Sequence, residues 1–325
     1  MGRLDDLFLS LAVLITFQLV ILTSFALGTV GRRLRGPQPE FSRKLVRFNL
    51  IFLEPGIVFW ATWGLHPETE QIILPFAGIA MVVGGFLFGM LLAPAVGLTG
   101  ARRAVYLISA SLGNHGFTLC ASLCYLWLGE EGLGLAAIFT FYFTPYVFLI
   151  LFPFAEKYSP QIANEQPPRF AFWKTFVSWN YLPLYATLAA VILLLAGVER
   201  PAWDVPLIFA ILPTVGLYYV TLGLSFDTRR MTVSAREFFS YAWIKFALVP
   251  ALTFVLVVAF EILSGYTVSR TIRVVLTIMS FAPAATYSVV AAVLYDLDQD
   301  FAGGLFVTNV VAFLFLVLPV LAFLI

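Results

Sequence analysis

Charge is what this chain has least of. Only 11% of its 325 residues are Asp, Glu, Lys or Arg, against about 25% in an ordinary soluble domain. Apolar residues make up 61%, and the mean hydropathy is +0.95. A water-soluble fold of this length cannot hide so much apolar surface, which excludes a soluble enzyme or binding module. A net charge of +1 leaves no field for nucleic acid. Histidine occurs twice, as His66 and His115, so a His-rich metal site is excluded. Cysteine occurs twice, as Cys120 and Cys124. Four apart in one apolar segment, they face the same way on a helix and are not expected to form a disulfide. There is no GxSxG, P-loop or HExxH, and no connection is long enough for a nucleotide-binding domain. Neither an enzyme, a cofactor protein nor a primary pump is expected.

What the chain has instead is ten long apolar runs: roughly Leu7–Val30, Phe48–Leu65, Ile72–Val96, Val105–Leu128, Leu133–Phe154, Phe176–Val198, Val205–Phe226, Tyr241–Leu263, Val274–Leu294 and Phe301–Ile325. A spanning helix needs about 20 apolar residues, and lipid offers no partner to backbone amides, so these runs predict an all-α polytopic membrane protein with ten transmembrane helices. Strands of a membrane barrel would alternate polar and apolar, and these runs do not. The first run is too long for a signal-peptide core and follows Asp5 and Asp6, so it reads as a retained first span.

Lysine and arginine set the orientation. The first connection holds Arg32, Arg33, Arg35, Arg43, Lys44 and Arg47. The third holds Arg102 and Arg103, the fifth Lys157, Arg169 and Lys174, and the seventh Arg229, Arg230 and Arg236. Together these are 14 of the 19 basic residues. The odd-numbered connections are therefore expected in the cytoplasm and both termini on the non-cytoplasmic side of the cell membrane. Trp63, Trp127, Trp173, Trp179, Trp203 and Trp243 cluster near run ends, as interfacial anchors do.

The polar stretch Ala155–Thr175, with Pro160, Pro167 and Pro168, divides the chain into five runs and five runs. An odd number of spans per half inverts one half relative to the other, the arithmetic of an inverted repeat. The division is residues 1–158, a cytoplasmic linker 159–173, and residues 174–325. A proline inside the second run (Pro55, after Leu50-Ile51-Phe52-Leu53-Glu54) and another inside the seventh (Pro213, after Leu207-Ile208-Phe209-Ala210-Ile211-Leu212) agree with it.

The fourth run carries Ser111-Leu112-Gly113-Asn114-His115-Gly116 near its middle. The ninth carries Ser280-Phe281-Ala282-Pro283-Ala284-Ala285-Thr286 at the corresponding place. Gly and Pro interrupt helical hydrogen bonding, and paired interruptions in corresponding spans point to a transporter's binding site. The alternative is a tight helix–helix contact through small residues. Asn114 offers donors to an anion. His115 either carries a proton or is a neutral histidine bonded to backbone. Thr286, Tyr287 and Ser288 either line the same cavity or bond back to their own helix. Glu54 is the one acidic residue deep in a span. It is a proton-coupling group or a protonated, hydrogen-bonded partner. As proton carrier His115 is favoured over Glu54, because it sits at the interruption. Lys245 is expected to snorkel to the interface, Asn309 to form an interhelical hydrogen bond, and Glu130, Glu131, Asp296, Asp298 and Asp300 to be solvated loop charges.

Four stretches resemble the auxin efflux carrier family, within the bile-acid, arsenite and auxin-type transporter superfamily. They are Phe48 to Pro55 after a basic turn; Gly113-Asn114-His115-Gly116 followed by Leu128-Gly129-Glu130-Glu131-Gly132-Leu133; Thr221-Leu222-Gly223-Leu224-Ser225 with Lys245 to Pro250; and Ala282-Pro283-Ala284 to Leu297. Their order and spacing cover nearly the whole chain, and the short central linker resembles the prokaryotic-type members. The resemblance implies two inverted five-helix repeats with the fourth and ninth helices broken and crossing at the membrane centre. Helices 1, 2, 6 and 7 would form a scaffold, and 3–5 and 8–10 a transport domain moving by elevator-type alternating access. It implies a small organic anion as substrate, bound around Ser111, Gly113, Asn114, His115, Gly116, Pro283, Ala284, Thr286, Tyr287 and Ser288, with Asn114 holding its carboxylate. His115 departs from the small or hydroxyl residue expected beside that asparagine. Protons or sodium are possible coupling ions, and a homodimer is a possible assembly. A sodium-coupled bile-acid-type symporter and a non-transporting membrane sensor on the same fold stand as alternatives.

Overall fold

The computed structural model describes residues 2–36, 38–66, 68–159, 182–203, 205–226 and 231–325. Among these the chain is all-helical, without strands. Six helical stretches are long and apolar enough to cross a membrane: Ile15–Arg35, Glu40–Trp63, Thr69–Leu92, Ile208–Ser225, Ala235–Ser264 and Gln299–Leu324. This is the build of a multi-pass membrane protein. The other runs are present in shorter pieces. The expected linker from residue 160 onward, with its three prolines, lies outside the described residues, as do Arg169, Trp173, Lys174, Trp179, Arg229 and Arg230.

The helices are α1 (Gly2–Arg35), α2 (Pro39–Phe48), α3 (Glu54–Trp63), α4 (Ile73–Leu92), α5 (Gly100–Ser111), α6 (Cys120–Phe139), α7 (Phe143–Tyr146), α8 (Phe152–Lys157), α9 (Leu182–Leu195), α10 (Ile208–Ser225), α11 (Ala235–Trp243), α12 (Val249–Ser264), α13 (Arg270–Ser280), α14 (Thr286–Leu294), α15 (Gln299–Ala312) and α16 (Leu318–Leu324). Four junctions, Asn49–Leu53, Val147–Leu151, Ile244–Leu248 and Phe313–Val317, are π-helical. Each ends two residues before a proline: Pro55, Pro153, Pro250 or Pro319. Proline has no N–H to give and its ring crowds the carbonyl four residues back. Widening one turn to the i→i+5 pattern relieves the clash without ending the helix. Pro55 and Pro213 both lie inside helices, in α3 and α10.

The helices pack in two sets. α1 lies along α10, α2 against α10, and α3 along α9. The first of these contacts is close enough that a Cβ on Gly28 would meet the Val220 carbonyl oxygen at 2.1 Å, and one on Gly223 the Phe25 oxygen at 2.3 Å. In the other set α4 packs on α5, α6 and α12, α6 on α13, α15 on α5, α11 and α14. The sets meet where α3 touches α6 and α1 touches α16.

The fourth and fifth runs meet at Gly129. There the chain leaves helical geometry (φ +66°, ψ −151°), a conformation that suits a residue without Cβ. Glu130 follows this break and is not simply solvated. It pairs with Arg200, which also lies over the Trp60 ring at 4.9 Å and donates to the Trp60 carbonyl at 3.1 Å. Asp298 is not simply solvated either. It caps α15 by accepting from the Phe301 amide and takes Arg102 at 3.0 Å, while Arg102 also holds Glu237 at 2.9 Å. The polar pairings between connections join odd with odd and even with even. Arg102 with Glu237 and Asp298, and Arg32 with the Ser225 carbonyl, join odd-numbered connections. Arg200 with Glu130, Trp63 with the Val198 carbonyl, and the Ser269 amide with Glu70 join even-numbered ones.

Candidate functional site

α5 has 12 residues, roughly 18 Å at 1.5 Å per residue, and cannot cross a bilayer alone. It ends at Ser111, and the chain resumes as helix at Cys120. α13 ends at Ser280, and the chain resumes at Thr286. The two interruptions touch. Gly113 and Ala284 form an isolated antiparallel bridge, with the Asn114 amide donating to the Pro283 carbonyl at 2.8 Å. Gly113 permits this approach, since a Cβ there would stand 2.5 Å from the His115 Nε2 and 2.9 Å from the Ala282 Cβ. Proline at 283 supplies the carbonyl and cannot donate, so it fits the accepting side of the bridge.

Asn114 is buried. Its Oδ1 accepts from the Thr118 hydroxyl, and its backbone carbonyl accepts from the Cys120 amide at 3.2 Å. Its Nδ2 is buried without a partner. The opposite side carries a similar arrangement. Asn309, from α15, accepts the Ala284 amide on Oδ1 at 2.9 Å, a bond to the interruption rather than to another helix, and leaves its Nδ2 buried and unpartnered. The Thr286 Oγ1, at the first residue of α14, is a third unpartnered polar atom, and no side chain caps that helix. An amide N–H that gives up water and finds no acceptor costs about 1–3 kcal/mol. Two such amides and a half-helix N-terminus make the crossing short of acceptors, which is what an anion supplies. A Cβ added at Gly116 would meet nothing within 4 Å, and Gly116 is exposed, so the crossing opens beside it.

His115 is buried with both ring nitrogens engaged. Nε2 lies 3.1 Å from the Met279 carbonyl and Nδ1 2.6 Å from the Tyr142 hydroxyl. A carbonyl only accepts, so Nε2 carries the hydrogen and Nδ1 accepts from the tyrosine. Ser111 donates back to the Ile108 carbonyl at 2.8 Å, and Ser288 to the Ala285 carbonyl at 2.7 Å, so both take the local option. Tyr287 packs edge-on against Phe143 with centroids 4.9 Å apart. Glu54 belongs to neither interruption. It is buried at the start of α3, hydrogen-bonded with Tyr218 of α10, and near enough to Tyr287 of α14 to interact electrostatically.

Lys245 corrects the sequence reading. It does not snorkel. It is 3% exposed, and its ammonium donates to the Leu112 carbonyl at 2.6 Å, at the broken end of α5. Tyr241, one turn earlier, donates to the Ser109 carbonyl at 2.8 Å. The signal available in sequence was a single lysine in an apolar run, four residues after a tyrosine; its partner is 133 residues away. Tyr142 and Met279, which hold His115, carried no sequence signal at all. Among the described residues no cluster of metal-ligating side chains occurs. A search of protein-family models and of curated proteins found nothing that matches this chain.

Proposed function

We propose that the chain is a secondary transporter that carries a small organic anion of the carboxylate class across the cell membrane, with the crossing of the two broken spans as its binding site. The observation that carries this reading is the meeting of the two interruptions in one backbone bridge, flanked by the unpartnered Nδ2 groups of Asn114 and Asn309. Broken spans that meet inside a membrane protein, with free donors and a half-helix N-terminus, serve a ligand better than they serve packing.

The ten-span, inverted-repeat architecture is part of the proposal. The odd-with-odd and even-with-even pairing of connections supports it, because alternate connections share a side only if every run crosses. The π-turn and proline near the ends of the fifth and tenth runs, at Pro153 and Pro319, support the repeat. The two packing sets match a scaffold of runs 1, 2, 6 and 7 and a moving body of runs 3–5 and 8–10. In an elevator motion the Arg200–Glu130 pair, which joins them, would part. Of the two coupling candidates, Glu54 fits better than His115. His115 has no free nitrogen, whereas Glu54 lies beside Tyr218 of the scaffold set and Tyr287 of the other.

The test is thermal stability of the purified protein against monocarboxylates, dicarboxylates, indole acids and bile acids, followed by flux of any stabilising acid in proteoliposomes. Ligand at about 100 times its Kd adds roughly 2.7 kcal/mol of stability. Binding with flux supports a transporter. Binding without flux supports a sensor, and no stabilisation by any acid removes the anion reading.

A further inference from the structure

Every helix that stops inside a membrane leaves carbonyls at the negative end of its dipole with nothing to accept from. At such ends in transporters, unwound carbonyls commonly ligate a sodium ion. The end of α5 is handled differently. The Leu112 carbonyl, first beyond the helix, takes the Lys245 ammonium at 2.6 Å, and the Ser109 carbonyl takes the Tyr241 hydroxyl at 2.8 Å. Both donors come from one face of the eighth run, one turn apart, where the helix widens over Ile244–Leu248 ahead of Pro250. The lysine stem brings the charge in through protein, and the ammonium ends within 6.0 Å of the Tyr241 ring centroid. A lysine this deeply buried in a membrane protein is costly unless its charge is answered, and the helix end answers it.

We infer that Lys245 is a tethered cation that occupies, at the broken end of α5, the place an alkali ion would otherwise fill, so that the crossing keeps its shape without sodium. Lys245 is a positioning residue here: it holds the Leu112 carbonyl and through it the start of the Gly113–Ala284 bridge. The inference rests on the crossing being the site but not on what is carried, so it is tested without substrate.

The experiment is thermal unfolding of the purified protein in sodium chloride and in choline chloride at equal ionic strength, for the parent, Lys245→Ala, Lys245→Gln and Lys245→Met. The parent is expected to melt at the same temperature in both salts. Lys245→Ala is expected to melt several degrees lower in choline and to recover in sodium or in n-propylammonium, which replaces the atoms removed. Lys245→Gln keeps a donor but no charge, and is expected to fall between parent and Lys245→Met. A parent stabilised by sodium over choline overturns the inference, because a separate cation is then bound. So does a Lys245→Met protein as stable as the parent, since the lysine then only fills space. If Lys245→Ala does not fold, the parent salt comparison and the Gln and Met variants still decide. Failure of the carboxylate screen leaves all of these readouts standing.

Discussion

At the end of α5 the loose carbonyls are held by a phenol and an ammonium from the eighth run, whereas at the end of α13 they are held by groups of the other broken span. There the Met279 carbonyl accepts the His115 imidazole N–H at 3.1 Å, and the Ile278 carbonyl takes the Cys120 thiol at 3.7 Å. The first end is charged and tied to a neighbour; the second is neutral and ties the two interruptions to each other. With the Asn114–Pro283 bond between them, the two breaks form a single unit. His115 and Lys245 thus do parallel jobs at the two ends, and each is a strut before it is anything else.

The largest effect should follow from removing the neutral strut. His115→Leu leaves the Met279 carbonyl and the Tyr142 hydroxyl buried without partners, at about 1–3 kcal/mol for each. The melting temperature should fall sharply, and equal stability would deny the strut role. Overpacking should come next. Gly113→Ala pushes a methyl into the His115 ring and the Ala282 side chain and should cost about 1–3 kcal/mol, while Gly116→Ala, facing open space, should leave melting unchanged. Equal losses at the two glycines would mean the crossing is not as close as described.

The two asparagines separate stability from binding. Asn309→Ala takes the acceptor from the buried Ala284 amide and should destabilise by about 1–3 kcal/mol. Asn114→Ala loses only a local bond to Thr118 and should melt close to the parent. The smallest effect is expected at the edge of the two packing sets. Glu130→Gln breaks a partly exposed pair with Arg200, worth about 0–1 kcal/mol, so stability should barely move while the rate of any flux changes. A large loss of stability would make the pair part of the fold rather than a contact that opens.

The all-helical build and both interruptions were legible because they rest on composition and on Gly113 and Pro283, whose backbone chemistry acts locally. The bridge itself was not, since nothing local sets Asn114 opposite Pro283. Lys245 was read as an interfacial lysine because only a distant carbonyl gives it a reason to be buried. His115 stood out in the sequence only by its place beside Gly113 in the first interruption. The groups that hold it, Tyr142 and Met279, are ordinary residues of apolar helices, and nothing in their spacing marks them. Glu130 and Asp298 were read as solvated charges because their arginine partners lie 70 and 196 residues away.

In the proposed transporter, the crossing binds a carboxylate through the unpartnered amide of Asn114. The most direct measurement is the shift in melting temperature caused by the best-stabilising acid, in the parent and in Asn114→Ala side by side. The account predicts a clear rise in the parent and a much smaller one in the variant, corresponding to about 1–3 kcal/mol of lost binding, with the two proteins melting alike in the absence of acid. An equal rise in both would contradict it and place the anion elsewhere.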